Sequence, residues 1–382
     1  MSLDILMVSG IWPPAVGGPA SHGPDLGRFL TARGHRVRAV TTCGAAGADP
    51  AGFPVRAARS DRHLVLRQPA AAVAVAAEIS RRPDAIYSTG MYGRSALPAR
   101  LLRRPLVLKL ASDPAYERAR RSGRFEGTLE QFQETRGDPA VRVLKRIRTA
   151  VVRSADRLVI PSGYLAAIAR GWGIDEDRIR VIPNPAPVVD FDEPREDLRR
   201  RLGMTGPTFV FAGRLTRQKN VPLAPAALAA VPGSSLVIIG EGPEGDAAAR
   251  AVADARVGDR VTMTGALSRS AVMEWLRAAD AAVLPSDWEN FPHAAVEALA
   301  AGTPVIATAV GGVPEIVQPG ISGLLVSPGD ARALGCAMRL VAETPVVAAR
   351  LREGAAAAAG RYRADRAFEE IERIVERAAA SR

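Results

Sequence analysis

"AAVLPSDWENFPHAAVEALAAGTPVIA", Ala281–Ala307, is the stretch on which the fold turns. It opens on an apolar run, Ala281–Leu284, that breaks at Pro285, and it closes on a second, Pro304–Ala307. Between the two an alanine-rich segment begins behind Pro292, a residue suited to the first helical position. Strand, loop, helix and strand in that order make a βαβ unit. Two glutamates stand in this apolar setting, where carboxylates are seldom mere surface residues. Glu289 falls in the loop at the mouth of the sheet, and Glu297 about one and a half turns into the helix.

The same alternation extends in both directions. Upstream in this half, strands are expected at Thr208–Ala212, Ser235–Ile239 and Arg260–Met263, and downstream at Gly323–Val326. In the first half they are expected at Asp4–Val8, Arg36–Thr41, His63–Arg67, Ala85–Ser88, Leu106–Leu110, Arg157–Ile160 and Arg178–Ile182. Several are continuous apolar runs, as parallel strands covered on both faces require. Helices are expected over Pro24–Arg33, Ala70–Arg81, Arg94–Arg103, Val141–Ser154 and Tyr164–Arg170. The proline-dense "IPNPAPVVDFDEP", Ile182–Pro194, marks a linker between the two series. The expected fold class is α/β, with two Rossmann-like doubly wound domains facing a cleft. A charged amphipathic helix, Arg366–Ala379, ends the pattern, and there is no short-period repeat.

Composition narrows the classes. The 382 residues are 47% hydrophobic and 24% charged, as in a soluble globular protein of two or three domains. The net charge of +11 could indicate a polyanionic partner, but only Lys109, Lys145 and Lys219 among the 51 basic residues are lysines. An arginine excess in a chain rich in Ala, Gly and Pro fits GC-rich coding as well. With 5% aromatics and no basic tract interleaved with them, no nucleic-acid partner is expected. Cys43 and Cys336 are too few for a disulfide scaffold or a zinc site, which fits a reducing cytoplasmic setting. Ile5–Val8 follows Asp4 and no basic region, so it reads as a strand rather than a signal peptide. No run of about 18 apolar residues occurs.

The second series opens with "FVFAGRLTRQKN", Phe209–Asn220. A strand runs into Gly213, where backbone can approach a ligand, and Arg214 and Lys219 follow. Two cations at a strand end suit a diphosphate, although a surface turn with ordinary basic residues has the same pattern. "LVIIGEGPE", Leu236–Glu244, is a second glycine turn after a strand, common in any such fold. Around Glu289 and Glu297, free N–H groups at the helix start can bind hydroxyl or phosphate oxygens. The two carboxylates could accept bonds from the paired hydroxyls of sugars and riboses. They could also be a dipole partner and a helix-face charge.

These residues carry a resemblance. "FAGRLTRQKN", "IIGEGPE", "LPSDWENFPHAAVEALAAGTPVIATAVGGVPEIV" and "SGLLVSPGD" resemble, in this order, the retaining glycosyltransferases of family 4, with the GT-B fold. "PPAVGGPASHGPDLGRFLTARGHRVRAVTT" and "VRSADRLVIPSG" extend the resemblance over nearly the whole chain. It implies residues 1–186 as an acceptor-binding domain, with a C-terminal helix at 364–382 packing back on it, and residues 187–363 as the nucleotide-sugar domain. Arg214 and Lys219 would bind the donor diphosphate and stabilise it as it leaves. Glu297 would bind the ribose and Glu289 the transferred sugar, helped by backbone at Asn290 and Phe291. Gly213 would belong to the donor site, and Gly17 and Gly18 would form the loop of the first domain that faces donor phosphate and acceptor. The donor would be a UDP- or GDP-linked sugar, with no metal or other cofactor required. Retention would proceed by front-face attack, the departing phosphate taking the acceptor proton.

The chain departs from the family in places. Many relatives carry a histidine at the end of the strand matching Leu106–Leu110. Here the stretch is "VLKLASDPAYERARR", Val107–Arg121, similar to a subgroup with Gly-Asp and an aromatic-Glu pair. Asp113 is the candidate for acceptor contact or proton handling, with Lys109 nearby. It could equally cap a helix starting at Pro114. Where many relatives have Asn-Gly-Val-Asp, this chain has "NPAPVVD". Asp190–Asp192, "DFD", lies in the linker and reads as solvated loop rather than a metal site. His22 could reach an acceptor and His293 a phosphate, or both could be structural. "VRVLKRIRTAVVRSADR", Val141–Arg157, could rest on anionic lipid at the inner face of a membrane, or pack its apolar stripe on the domain's own sheet. Small-molecule, glycan and lipid-linked acceptors stay open. So do a phosphorylase, a nucleotide-sugar epimerase and a non-catalytic binding protein on the same fold.

Overall fold

The computed structural model describes residues 2–13, 18–42, 47–48, 52–58, 64–187, 191 and 193–381. The chain divides into two units, Met1–Ile182 with Asp365–Arg382, and Pro183–Ala364. Among the described residues the N-terminal unit has strands β1 (Asp4–Ser9), β2 (Arg36–Thr41), β3 (Gly47–Ala48), β4 (Pro54–Ala57), β5 (Ala85–Ser88), β6 (Leu106–Lys109), β7 (Arg157–Ile160) and β8 (Ile179–Val181). They form one sheet in the order β3-β4-β2-β1-β5-β6-β7-β8, parallel except for the β3–β4 edge pair. The C-terminal unit has β9 (Thr208–Ala212), β10 (Ser235–Ile239), β11 (Val261–Gly265), β12 (Ala281–Leu284), β13 (Val305–Thr308) and β14 (Gly323–Val326). Their order, β11-β10-β9-β12-β13-β14, is parallel throughout. Both units are thus Rossmann-like. Strand order reverses between β1 and β5 in one and between β9 and β12 in the other. Such switch points leave a crevice at the carboxyl ends of the strands, where ligands of open α/β sheets bind.

The continuous apolar runs have the predicted cause. Val210, Val237, Ile239 and Leu284 enter one buried cluster, while their neighbours Phe209, Phe211, Ile238 and Val283 enter another. Successive side chains point to opposite faces, and both faces are covered by helices, so no position on these strands can be polar without cost.

One expected strand is overturned. Leu64–Arg67 belongs to the helix Leu64–Ile79, and His63 lies outside the described residues. The place beside β2 goes to β4, with β3 outside it at the edge. Pro69, like Pro24 in the helix Gly18–Ala32 and Pro98 in Tyr92–Leu101, lies inside a helix rather than at its start. Each removes one backbone donor, a local cost that the rest of the helix outweighs.

The helix Ala364–Ala380 returns to the N-terminal unit. Its Phe368 ring lies 5.8 Å from His22 and 5.6 Å from Phe29. Its Glu372 accepts from His35 Nε2 at 2.9 Å and from Arg33 Nε at 3.2 Å. Burial works against the charge of Glu372, but Arg33 and His35 outweigh it and hold its pKa below the usual value. Because the Leu3 N–H donates to His35 Nδ1, Nε2 must carry the proton. Both ring nitrogens are therefore engaged, so the His35 bond and the Arg33–Glu372 ion pair pin the helix, and the His35, Glu372 and Glu376 group keeps no imidazole lone pair for a metal.

Candidate active site

The site lies at the β9–β12 switch point. The loop leaving β9 carries Gly213, Arg214 and the 3-10 turn Arg217–Lys219, which ends on Asn220 in the left-handed region at φ 43°. The loop leaving β12 carries Ser286, Asp287, Trp288, Glu289 and Asn290 before the helix His293–Ala300. Pro292 is the N-cap of that helix, one residue earlier than its expected place.

Polar contacts knit the two loops together. Gln218 Nε2 donates to the Trp288 carbonyl at 2.8 Å, and the Asp287 N–H donates to the Gln218 carbonyl at 2.9 Å. Asn220 Nδ2 donates to Asp287 Oδ1 at 2.8 Å. At the centre, Lys219 Nζ pairs with Glu289 Oε1, which also accepts from Ser286 Oγ at 2.8 Å. Thr308 at the end of β13 donates to the Ser286 carbonyl at 2.5 Å, holding that peptide from the other side. Glu289 is 4% exposed. Asn184 Nδ2 donates to the Phe291 carbonyl at 3.2 Å, and the Phe291 ring lies edge-on to Tyr362.

Glu297 is half-buried, and Arg269 Nε stands 3.9 Å from its Oε1. Burial raises its pKa above the usual carboxyl value, with Arg269 and Lys219 pulling the other way. Lys219 therefore acts on both glutamates. Arg214 shares its loop and is exposed.

The glycine turns have a steric reason. A Cβ on Gly240 would lie 1.9 Å from the Gly213 carbonyl oxygen, and one on Gly242 would lie 2.2 Å from that of Leu215. The loops after β9 and β10 therefore meet backbone to backbone, joined by Gly213 N–H to Ile239 O at 3.0 Å and Leu215 N–H to Glu241 O at 2.9 Å.

The remaining candidates belong to the N-terminal unit. Gly18 opens the helix Gly18–Ala32, and Gly17 lies outside the described residues. Asp113 caps the helix Pro114–Arg121 through bonds from the Ala115 and Tyr116 N–H groups. Its other oxygen accepts from Arg148 NH1 at 2.6 Å and Gln133 Nε2 at 3.0 Å. Fully buried, its two oxygens accept four bonds in all. Arg148 stacks 3.9 Å over Trp172, whose Nε1 donates to Gln133 Oε1. At the β1–β5 switch point, Lys109 Nζ is 3.4 Å from both ring nitrogens of His22, and His22 Nε2 is 3.1 Å from the Tyr87 hydroxyl. Burial lowers the Lys109 pKa to about 7.

The structure thus joins Lys219, Glu289 and Glu297, and sets Arg214, Gly213, Asn290 and Phe291 on the same two loops. Sequence reasoning did not single out Ser286, Gln218, Asn220, Asn184 or Arg269. The first three lie inside quoted motifs. Asn184 lies in the linker, and Arg269 opens a helix with no mark to distinguish it.

Residues 194–358 match the family described as Glycosyl transferases group 1, and residues 17–185 the Glycosyl transferase 4-like domain. The chain is 31% identical over 383 residues to a glycogen synthase of Mycobacterium tuberculosis, covering 91% of this chain and 88% of that one. A D-inositol 3-phosphate glycosyltransferase of Acidothermus cellulolyticus is 37% identical over 253 residues, 61% of this chain and 55% of its own. The chain belongs to the family 4 glycosyltransferases with the GT-B fold, enzymes that act on nucleotide sugars. Among solved structures, sucrose-phosphate synthase from Thermosynechococcus elongatus superposes with a TM-score of 0.80 at 22% identity, over 99% of this chain and all of that one. HepE from Anabaena in complex with UDP-glucose gives 0.79 at 20%, over 97% and 99%.

Proposed function

We propose that the C-terminal unit binds a nucleotide-diphospho-sugar at the Lys219–Glu289 site, and that the enzyme transfers the sugar to an acceptor hydroxyl with retention of configuration and without a metal. The observation that carries this is the Lys219–Glu289 pair at the β9–β12 switch point. Lys219, Arg214 and the first N–H groups of the helix His293–Ala300 meet the diphosphate. Glu289 accepts from hydroxyls of the sugar and Glu297 from those of the ribose. The anomeric carbon–phosphate oxygen bond breaks as the acceptor oxygen bonds on the same face, and the departing phosphate takes the acceptor proton. Lys219 and Arg214 neutralise the charge that develops on that phosphate. The acceptor binds to the N-terminal unit. Asp113, saturated by four bonds, serves there by holding the segment after β6 in place. HepE was solved with UDP-glucose, so uridine is the first base to test.

A thermal-shift panel of UDP, GDP, ADP and their sugars tests the reading. One base should raise the melting temperature, since a ligand that binds only the folded state stabilises it. Lys219→Met should abolish the shift. Glu289→Gln should keep it while turnover falls on the order of 10²–10³-fold. A chain that ignores every nucleotide and uses free phosphate would instead be a phosphorylase, and unchanged turnover in Glu289→Gln would remove the assigned chemistry.

A further inference from the structure

Five of the twelve large apolar side chains exposed among the described residues lie on or beside two helices. Leu97 is 62% exposed and Leu101 72% on Tyr92–Leu101, with Leu102 just after it. Val143 is 51% and Ile147 53% exposed on Pro139–Arg153. The two helices are neighbours. A Cβ on Gly93 would lie 3.9 Å from Val151 Cγ2, and Ala96, Ala99 and Val152 enter the same buried cluster. Their inner faces are therefore accounted for, and the exposed residues form an outer face.

The charge carried by these two helices is of one sign, and Asp138 just before the second is paired with Arg124. Residues 92–104 and 139–153 hold nine Lys and Arg and no Asp or Glu. Arg100, Arg142 and Arg146 are exposed, and among the described residues none is paired with a carboxylate. On Pro139–Arg153 the 3.6-residue period sets Arg142 and Arg146 on one flank of the stripe formed by Val143 and Ile147. Arg94 and Arg118 oppose each other's charge nearby, and burial together with that repulsion lowers the Arg94 pKa.

We infer that this face docks on the surface of an anionic bilayer, the aliphatic side chains entering the acyl boundary and the arginines meeting lipid phosphates. Charge complementarity selects this occupant. A second copy across a two-fold axis would set the arginines against one another. A nucleic acid would use the arginines but leave the aliphatic stripe idle, since its bases call for aromatic stacking. The inference is independent of the donor assignment, because binding needs no nucleotide.

The test is co-sedimentation with phosphatidylcholine vesicles, alone or mixed with phosphatidylglycerol, at low and moderate salt. The full chain should pellet with the anionic vesicles only, and less so at the higher salt. Each basic residue at such a surface contributes about fivefold in partitioning, so Arg142→Glu with Arg146→Glu should lower it by at least about 25-fold. Leu101→Gln with Ile147→Gln, which keeps every charge, should also weaken binding and leave transferase turnover on a soluble acceptor unchanged. Absence of pelleting at both salts, equal pelleting with neutral vesicles, or variants that bind as the parent does would each overturn the inference. So would a concentration-dependent dimer that Leu101→Gln with Ile147→Gln abolishes.

Discussion

Lys109 supplies a test in which the magnitude follows from the structure. Its ammonium would sit in a site only 5% exposed, beside His22, which in turn contacts the Tyr87 hydroxyl, and burial brings its pKa from 10.5 to about 7. Between those values the unfolded chain holds a proton that the native chain has released. Native stability therefore rises with pH across this window, by about 1.4 kcal/mol per unit, and is flat below it, where both states are protonated. Over the 3.5 units separating 10.5 from 7 the change sums to about 5 kcal/mol. Lys109→Met fills similar space and titrates nowhere. The stability of wild type minus that of the variant should thus be most negative near neutral pH and climb towards zero as pH approaches 10.5. Urea unfolding at unit pH steps, following Trp12 and Trp172 of the N-terminal unit, measures it. Other titrating groups cancel in the difference. A difference that does not change with pH would mean that Lys109 stays protonated when folded, refuting the reasoning.

Two further substitutions probe the framework. Arg148→Met leaves the fully buried Asp113 without its cation, at a cost of about 3–5 kcal/mol in denaturant unfolding, and adding Asp113→Asn should recover part of the loss. Gly240→Ala sets a Cβ 1.9 Å from the Gly213 oxygen and should cost at least about 2 kcal/mol and weaken the nucleotide-induced thermal shift. Gly245→Ala, which meets only Leu215 Cδ1 at 3.9 Å, should do neither.

Buried parallel strands were legible because both faces demand apolar residues. The expected ranges of β2, β5, β7, β9, β10, β12 and β14 coincide with the observed ones. Helix starts were less so: the helices expected from Pro24 and Ala70 begin at Gly18 and Leu64, with Pro24 and Pro69 inside them. At the site, Lys219, Glu289 and Glu297 stood out as charge in apolar or lysine-poor surroundings. Gln218 and Asn220 are common polar residues whose purpose exists only once two loops 60 or more residues apart meet, and Ser286 is a common serine that binds Glu289 within its own loop. Asp113 carried two readings in the sequence. Only the arrival of Arg148 and Gln133, from 35 and 20 residues away, shows how completely its oxygens are occupied.

The helix Ala364–Ala380 has a consequence for biosynthesis. It completes the N-terminal unit but emerges from the ribosome only after residues 183–364 have been made. At ordinary translation rates that interval lasts roughly 10–40 s. Throughout it Phe29, Arg33 and His35 lack the Phe368 and Glu372 that later cover them. The nascent first sheet must wait with an open apolar flank, a window in which chaperone capture competes with misassociation.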